Sequence, residues 1–290
     1  METFEEAPAL QTLATALRPK LHRYCARMTG SRIDGEDVVQ DALLKALAAL
    51  PKTGSPANAE AWLFRIAHNA SLDFLRRRAR FAGGTSDDGL EAIAATDDVP
   101  DEVIEREAIV ASSLRTFMRL PTVQRSSVIL MDVLEYSLEE IGAIMDCSVP
   151  AVKSALHRGR ARLREFAREP QDAPLPALRD PERSRLARYV DRFNARDFDA
   201  IREMLADDVR VELVNKKQLR GREATNYFTN YAGMSDWHFA AGEVDGLPVA
   251  LVFDPADASR PIYFIAFDWA DGRVATIRDF RYARYAADGL

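Results

Sequence analysis

Residues 149–168 combine an apolar stripe with an excess of positive charge. The stretch holds six Lys or Arg residues and one acid, Glu165. Its apolar residues recur at steps of four, three and four, which predicts a helix that buries one face: Val152, Leu156, Gly159 and Leu163. Cations on the other faces can neutralise DNA phosphates and donate to base edges. The same pattern also fits a basic helix on the surface of a helical bundle.

A capped turn in front of this helix favours the DNA-binding interpretation. Ser137 and Glu140 are spaced as a capping box, which starts a short helix over residues 138–145. Residues 146–148 form a turn, and Ser148 is the N-cap of the basic helix. A short helix, a turn and a basic helix together predict a helix-turn-helix motif.

A second basic helix is predicted over residues 59–80. Aromatic and amide side chains, among them Trp62 and Asn69, precede the run Arg76-Arg-Arg-Ala-Arg80. Groups of these types stack on unpaired bases and hydrogen-bond their edges, so the helix is suited to single-stranded nucleic acid. Residues 36–47 predict an amphipathic helix with acids and an amide on its polar face.

Charge is segregated along the chain. The 290 residues carry a net charge of −6. Residues 1–80 and 112–168 each carry +3, whereas residues 81–111 carry −8 and residues 169–290 carry −4. The local charge of each segment, rather than the total, therefore decides whether it suits nucleic acid.

The composition excludes several classes of protein. Hydrophobic residues make up 47% and charged residues 29%, which fits a globular chain rather than a collagen-like or disordered one. No apolar run approaches the ~20 residues of a membrane span, and the acidic N-terminus does not predict a signal peptide. Cys25 and Cys147 lie far apart, which excludes a disulfide scaffold and fits a cytoplasmic protein. We predict no metal site and no cofactor.

The order of the predicted elements gives a multidomain fold. At roughly 100–200 residues per domain, the length indicates two or three domains. We predict two all-α domains, a helical bundle at 8–80 and a helix-turn-helix domain at 102–169, joined by an acidic linker at 81–101. A Pro-rich hinge at 170–181 leads to an α+β domain at 182–290, where alternating segments predict strands and Asp-Gly pairs predict hairpins.

Six strings in the helical part resemble the extracytoplasmic-function (ECF) RNA polymerase sigma factors. They occur in the family's order within residues 8–168: Glu36-Asp-Val-Val-Gln-Asp-Ala, Ala61-Trp-Leu-Phe-Arg-Ile-Ala-His-Asn, Asp73-Phe-Leu-Arg-Arg-Arg, Leu120-Pro-Thr-Val-Gln-Arg, Ser137-Leu-Glu-Glu-Ile-Gly and Val152-Lys-Ser-Ala-Leu-His-Arg-Gly-Arg-Ala-Arg-Leu. The resemblance implies a protein that binds core RNA polymerase, directs it to promoter DNA and opens the −10 element. It implies no catalytic residues.

The resemblance also implies a role for individual residues. Core polymerase would be bound by Glu36, Asp37, Val38, Gln40 and Asp41. The −10 element would be contacted by Lys52, Asn58, Asn69, Asp73, Arg76 and Arg77. The −35 element would be read by Ser148, Lys153, Ser154, His157, Arg158 and Arg160. Trp62 is expected to pack inside its own domain.

Residues 182–280 resemble the SnoaL-like, nuclear-transport-factor-like cone fold. The resemblance is carried by Phe193-Asn-Ala-Arg-Asp-Phe-Asp-Ala-Ile-Arg-Glu-Met-Leu-Ala-Asp-Asp-Val209 and by Leu219-Arg-Gly-Arg-Glu223. It implies a built-in regulator of the sigma domains. We predict that Phe280, Arg281 and Tyr282 dock on those domains; an ordinary last strand is the alternative.

Two other functions stay open at this point. A stand-alone helix-turn-helix regulator would bind DNA without polymerase. Alternatively, the cone would bind a small ligand or act as an enzyme, with an acid and a base drawn from His238, Asp254, Tyr263 and Asp268. A small ligand or a protein regulator at the cone is therefore a further partner to test, whereas no membrane partner is expected.

Overall fold

The structure, a computed structural model, describes residues 3–54, 56–83, 109–110, 112–169, 180–234 and 237–290. The chain divides into two compact units, Met1–Asp172 and Ala173–Leu290. Residues 84–101 of the predicted linker and 170–179 of the predicted hinge lie outside the described residues. Below, the two units are called the helical unit and the cone unit.

The helical unit begins with three long helices. They are α1 (Thr3–Thr29), α2 (Arg32–Thr53) and α3 (Ala59–Phe81). The side chain of Ser31 caps α2 and that of Asn58 caps α3, because each accepts a hydrogen bond from a first-turn N–H. A Cβ atom at Gly35 would lie 2.6 Å from the backbone of Ala26, so only glycine lets α1 and α2 approach this closely.

The second half of the helical unit is built from shorter helices. They are α4 (Leu114–Met118), α5 (Thr122–Val128), a π-helical turn (Ile129–Val133), α6 (Leu138–Met145) and α7 (Val149–Arg168). The predicted helix-turn-helix is confirmed in α6 and α7. The capping box at its start is formed, since the Ser137 hydroxyl accepts from the Glu140 N–H and the Glu140 carboxylate accepts from the Ser137 N–H.

The structure gives a backbone reason for Asp146 and a packing reason for Gly159 in the helix-turn-helix. Asp146 ends α6 with φ 57°, a left-handed conformation that favours glycine. Gly159 on α7 packs against α5, because a Cβ atom there would lie 2.8 Å from a methyl group of Val128. The helix propensity lost at Gly159 is therefore offset by a close helix crossing.

One hydrophobic core runs through both halves of the helical unit. Buried side chains of α1, α2 and α3 pack in the same cluster as those of α5, α6 and α7. The four residues predicted for the buried face of α7 are buried. The predicted bundle and helix-turn-helix segments therefore form one packed unit in this structure.

The cone unit places helices against a six-stranded mixed sheet. Its helices are α8 (Asp180–Asn194), α9 (Phe198–Glu203), α10 (Arg222–Thr225) and α11 (Tyr227–Ala232). Its strands are β1 (Leu205–Leu213), β2 (Lys217–Arg220), β3 (His238–Val244), β4 (Leu247–Phe253), β5 (Tyr263–Ala270) and β6 (Arg273–Asp279). The strand order is β2-β1-β6-β5-β4-β3, and β1 and β6 run parallel.

The predicted fold class, helical domains followed by an α+β domain, is confirmed, with one local correction. We predicted a last strand over residues 274–282. In the structure this strand, β6, ends at Asp279, and Phe280–Tyr282 forms a 3-10 helix. The Asp279 carboxylate caps this turn by accepting from the Arg281 N–H. The ring of Phe280 stacks on that of Phe264 with 4.3 Å between centroids.

Candidate nucleic-acid and polymerase interface

One face of α2 carries polar and apolar side chains that are exposed. Asp37 and Gln40 are exposed, and they share this face with Leu44 and Leu47, whose exposed fractions are 60% and 48%. The four residues follow one another at steps of three and four, so they form one stripe. Large apolar side chains on a surface stripe are typical of a protein-binding site.

The structure corrects part of the predicted polymerase-binding set on α2. Glu36 is 1% exposed, and its carboxylate accepts from the guanidinium of Arg18, with 3.0 Å to Nε. Val38 is also buried. Both residues face the interior because they lie on the α1-facing side of α2. Asp37, Gln40 and the half-buried Asp41 stay accessible.

The predicted −10 residues of α3 lie on its exposed side. Asn69, Asp73, Arg76 and Arg77 are all exposed. The Asp73 carboxylate lies 3.4 Å from the Lys45 ammonium and 3.5 Å from the Arg76 guanidinium, so it balances the local positive charge. This face therefore offers one amide and several cations to a nucleic acid.

The remaining predicted −10 residues lie around the start of α3. Lys52 is exposed in the last turn of α2. The Asn58 side chain is exposed, but its oxygen accepts from the Ala61 N–H at 3.0 Å, which makes it the N-cap of α3. Trp62 packs on Leu50 and Leu63, as predicted.

The predicted −35 face of α7 is only partly accessible. Ser148 and Lys153 are exposed, whereas Ser154 is 6% exposed and accepts from Arg158 at 2.5 Å. His157 and Arg158 are half-buried. In this structure the accessible part of the predicted set therefore lies at the N-terminal end of α7.

Arg160 has a structural partner within the helical unit. Its guanidinium donates to the two carboxylate oxygens of Asp132 at 2.6 and 3.1 Å. Asp132 is buried in the π-helical turn, and a bidentate pair of this kind fixes both side chains. Arg160 therefore anchors α7 in this structure, and its predicted contact with the −35 element would require this pair to open.

The helix that carries Asn69 contacts the helix-turn-helix directly. One turn before Asn69, the Arg65 guanidinium donates to the Ala143 carbonyl at 2.6 and 2.9 Å and lies 3.3 Å from the Asp146 carboxylate. Arg65 thus caps the C-terminal end of α6, where carbonyls lack intrahelical partners. The two predicted DNA-binding elements are adjacent in this structure.

A buried polar network also joins the two halves of the helical unit. The Tyr24 hydroxyl lies 2.7 Å from the Ser126 hydroxyl and 2.8 Å from Nδ1 of His68. Burial, followed by the nearby Arg76 charge, lowers the pKa of His68 to about 4. The imidazole is therefore neutral near pH 7, which lets one ring nitrogen accept a hydrogen bond.

The Sigma-70 region 2 family model matches residues 13–81, and the Sigma-70 region 4 family model matches residues 114–163. The chain is 30% identical over 173 residues to the ECF RNA polymerase sigma factor SigW of Bacillus subtilis (strain 168), and the match covers 56% of this chain and 90% of that protein. The chain belongs to the ECF RNA polymerase sigma factors. The sigma factor is also 29% identical over 159 residues to SigE of Mycolicibacterium smegmatis, of which it spans 62%.

Comparison with solved structures gives two matches of low TM-score, one over most of the chain and one over about a third of it. The crystal structure of the Mycobacterium tuberculosis extracytoplasmic function sigma factor SigJ covers 91% of this chain and 93% of its own, with a TM-score of 0.35 and 19% identity. An NTF-2 like protein of unknown function from Burkholderia xenovorans LB400 covers 34% of this chain and 80% of its own, with a TM-score of 0.28 and 17% identity.

The predicted acid and base residues of the cone unit are not brought together as a group in its interior. His238, Asp254 and Asp268 are exposed, and Asp254 holds a turn by accepting from the Ala256 N–H. Tyr263 is buried, with its hydroxyl 3.1 Å from that of Tyr231. Among the described residues there is no cluster of His, Cys, Asp or Glu that could hold a metal ion. In that same part of the chain, no helix is long and apolar enough to cross a membrane.

The predicted regulatory contact on the cone unit is corrected at one residue. Phe280 is buried within the cone unit, so its ring is not available to another surface. Arg281 is half-buried, while Tyr282 is 42% exposed with the Lys216 ammonium 4.1 Å from its ring centroid. Arg281 and Tyr282 are thus the accessible members of the predicted set.

Proposed function

We propose that this sigma factor binds core RNA polymerase, directs it to specific promoters and opens the −10 element. The observation that carries the proposal is the combination, within one unit, of the α2 stripe with its two exposed leucines and two basic helices. A protein that only bound duplex DNA would have no use for the α2 stripe. We place the sigma factor in the cytoplasm, because core polymerase and promoter DNA are present there.

The α2 stripe is the proposed contact with core polymerase. Leu44 and Leu47 supply an apolar area, and Asp37, Gln40 and the neighbouring Asp41 supply polar groups at its border. Protein interfaces commonly have this arrangement, with a desolvated centre and hydrated edges. The acids also favour a basic surface on the partner.

The two basic helices, α3 and α7, bind different forms of DNA in this proposal. The exposed face of α3 offers the Asn69 amide to an unpaired base and arginines to the phosphates, which suits a melted strand. The N-terminal end of α7 offers Ser148 and Lys153 to a duplex groove, as in other helix-turn-helix proteins. Neither task requires a catalytic residue, and we propose none for the helical unit.

Binding both promoter elements requires the two halves of the helical unit to separate. The −35 and −10 elements lie roughly 25 base pairs apart, or about 85 Å of duplex at 3.4 Å per base pair. Arg65 instead holds α3 against the end of α6 by direct hydrogen bonds. We therefore propose that the arrangement with Arg65 bound to α6 precedes promoter binding.

Nuclease protection of a promoter fragment distinguishes the proposed sigma factor from a stand-alone helix-turn-helix regulator. We expect protection of both elements with the sigma factor and core polymerase together, and none with either alone at the same concentration. Full protection by the sigma factor without core polymerase would favour the stand-alone helix-turn-helix regulator.

Asn69→Ala is expected to reduce the yield of open complex by about 10-fold, because the lost base contact is worth roughly 1–3 kcal/mol. Reactivity of unpaired thymines to permanganate measures the opening. Asn226→Ala, which removes an exposed amide from the cone unit, is the matched control and should leave the yield unchanged. An unchanged yield in Asn69→Ala would remove Asn69 from the −10 contact.

We propose that the cone unit regulates the helical unit through its surface, with Arg281 and Tyr282 among the contacts, and that it does not catalyse a reaction. The exposed positions of His238, Asp254 and Asp268 support a non-enzymatic role. Run-off transcription with the full chain and with a chain that ends at Glu169 measures the effect. More transcript from the shorter chain would show that the cone unit inhibits transcription. Less transcript would show that the cone unit is required for it.

A further inference from the structure

Two arginines lie directly opposite each other at one edge of the sheet in the cone unit. β2 is an edge strand, and its Arg220 is the register partner of Arg210 on β1. Opposite residues of an antiparallel pair point to the same face, with their Cβ atoms about 4.5–5.5 Å apart. Both side chains are exposed. Like charges in these positions destabilise a sheet, so the fold itself gives no reason for the pair.

No acid among the described residues forms an ion pair with either arginine. Glu212 lies on the same face, two residues along β1 from Arg210, but its carboxylate accepts from Nε of Arg278 at 3.1 Å. The cone unit is not basic as a whole, since residues 169–290 carry a net charge of −4. The arginine pair is therefore a local excess of positive charge that stays available to a partner.

The turn that joins β1 to β2 adds two lysines. Lys216 lies in the turn, where its N–H donates to the Leu213 carbonyl at 2.8 Å, and Lys217 begins β2. Both side chains are exposed. The four residue steps from Lys216 to Arg220 span about 13 Å at roughly 3.3 Å per residue. We call Arg210, Lys216, Lys217 and Arg220 the hairpin patch.

The side chains of the hairpin patch suit phosphate groups better than an apolar partner. The large aliphatic side chains of the hairpin are buried, so its described surface offers none of them to a partner: Val211, Leu213, Val214 and Leu219. A protein interface needs an apolar centre, and a membrane-bound element needs apolar side chains that enter the lipid. Guanidinium groups instead match phosphate oxygens, to which they donate two parallel hydrogen bonds.

We propose that the hairpin patch binds the phosphate backbone of promoter DNA and so gives the cone unit its own contact with the duplex. A row of about 13 Å faces about four phosphates of one strand, because these follow one another every 3.4 Å along the helix axis. Phosphate contacts carry no sequence information, so the patch adds affinity without changing which promoter is chosen. The inference rests on the promoter-binding function proposed above.

The salt dependence of promoter binding by the sigma factor with core polymerase tests the inference. The slope of log affinity against log salt concentration falls by about 0.9 for each phosphate contact that is lost. Arg210→Ala/Arg220→Ala should therefore reduce the slope by about 1.8 and weaken binding about 2- to 30-fold. Arg183→Ala/Arg188→Ala removes two exposed arginines of α8 and is the matched control, which should leave both quantities unchanged.

The outcomes separate this inference from the promoter function on which it rests. Failure of the unchanged sigma factor and core polymerase to bind the promoter would overturn both. Normal binding with equal slopes in the two double variants would overturn the inference alone and leave the patch as a charged edge that discourages strand pairing. An unchanged slope with weaker binding of core polymerase would also overturn it, because the patch would then contact a protein.

A stability measurement separates a binding role of Arg220 from a structural one. Arg220→Gln removes one of two like charges, so the midpoint of thermal unfolding of the full chain should stay unchanged or rise. The same variant should weaken promoter binding and reduce its salt slope by about 0.9. A fall of the midpoint by more than about 4 °C, equivalent to roughly 1 kcal/mol, would show that Arg220 stabilises the fold and would overturn the inference.

Discussion

Arg125→Leu is expected to lower the free energy of unfolding of the helical unit by about 3–5 kcal/mol. The buried Arg125 guanidinium donates to the carbonyls of Phe117 at 2.9 Å, Met28 at 2.7 Å, Met118 at 3.1 Å and Leu120 at 2.8 Å. Met28 lies at the end of α1, whereas the other three lie in or just after α4. Leucine would fill part of the space and leave these carbonyls without their donor.

Urea unfolding followed by far-ultraviolet circular dichroism measures this effect. Arg77→Leu is the matched control, because Arg77 is exposed and its replacement should change the free energy by less than about 0.5 kcal/mol. Equal midpoints and slopes for the two variants would show that Arg125 does not join α1 to the second half of the unit.

Leu44→Glu is expected to weaken the binding of core polymerase by about 10- to 100-fold, equivalent to roughly 1.4–2.7 kcal/mol. The substitution removes apolar area from the α2 stripe and places a charge where the partner would have to desolvate it. Because Leu44 is 60% exposed, the fold of the sigma factor itself should be unaffected.

Fluorescence anisotropy of the labelled sigma factor, titrated with core polymerase, gives the dissociation constants. Leu247→Glu makes the same change at an exposed leucine of the cone unit and serves as the control. If Leu44→Glu and Leu247→Glu bound core polymerase with equal affinity, the α2 stripe would not be the contact. Thermal unfolding of both variants verifies that neither has lost its fold.

The helix-turn-helix could be predicted from sequence because its signals are local. The capping box at Ser137 and the stepped apolar residues of α7 depend on neighbours in the chain, and both are present in the structure. The burial of Glu36 could not be predicted in the same way. Its partner, Arg18, is 18 residues away on another helix, and only the packing of α1 on α2 brings them together.

The exposed leucines of α2 were missed although their spacing was visible. Leu44 and Leu47 continue the steps of Asp37 and Gln40, but a sequence pattern cannot tell an uncovered leucine from a buried one. Arg65 and Arg125 were missed for a different reason. Both guanidinium groups donate to backbone carbonyls of distant segments. Because nearly every residue carries a backbone carbonyl, the sequence does not show which carbonyl will accept such a bond.

The alternating pattern of β6 could have predicted the burial of Asp279. Ile277 and Asp279 lie two residues apart on β6 and therefore point to the same side of the sheet. Since Ile277 is buried, the alternation places Asp279 inside as well, as the structure shows. We predicted that the alternating aromatic and basic residues after it dock on the sigma domains, with an ordinary last strand as the alternative, but Phe280–Tyr282 forms a 3-10 helix in which Phe280 is buried.

Transcription of fragmented genomic DNA from the encoding organism shows whether this protein selects promoters for core polymerase. Core polymerase is incubated with the DNA, with and without the sigma factor, and the 5′ ends of the transcripts are sequenced. We expect a set of start sites that requires the sigma factor and shares one sequence near −35 and another near −10. Identical start sites in both reactions, from a sample in which the sigma factor is bound to core polymerase, would contradict it.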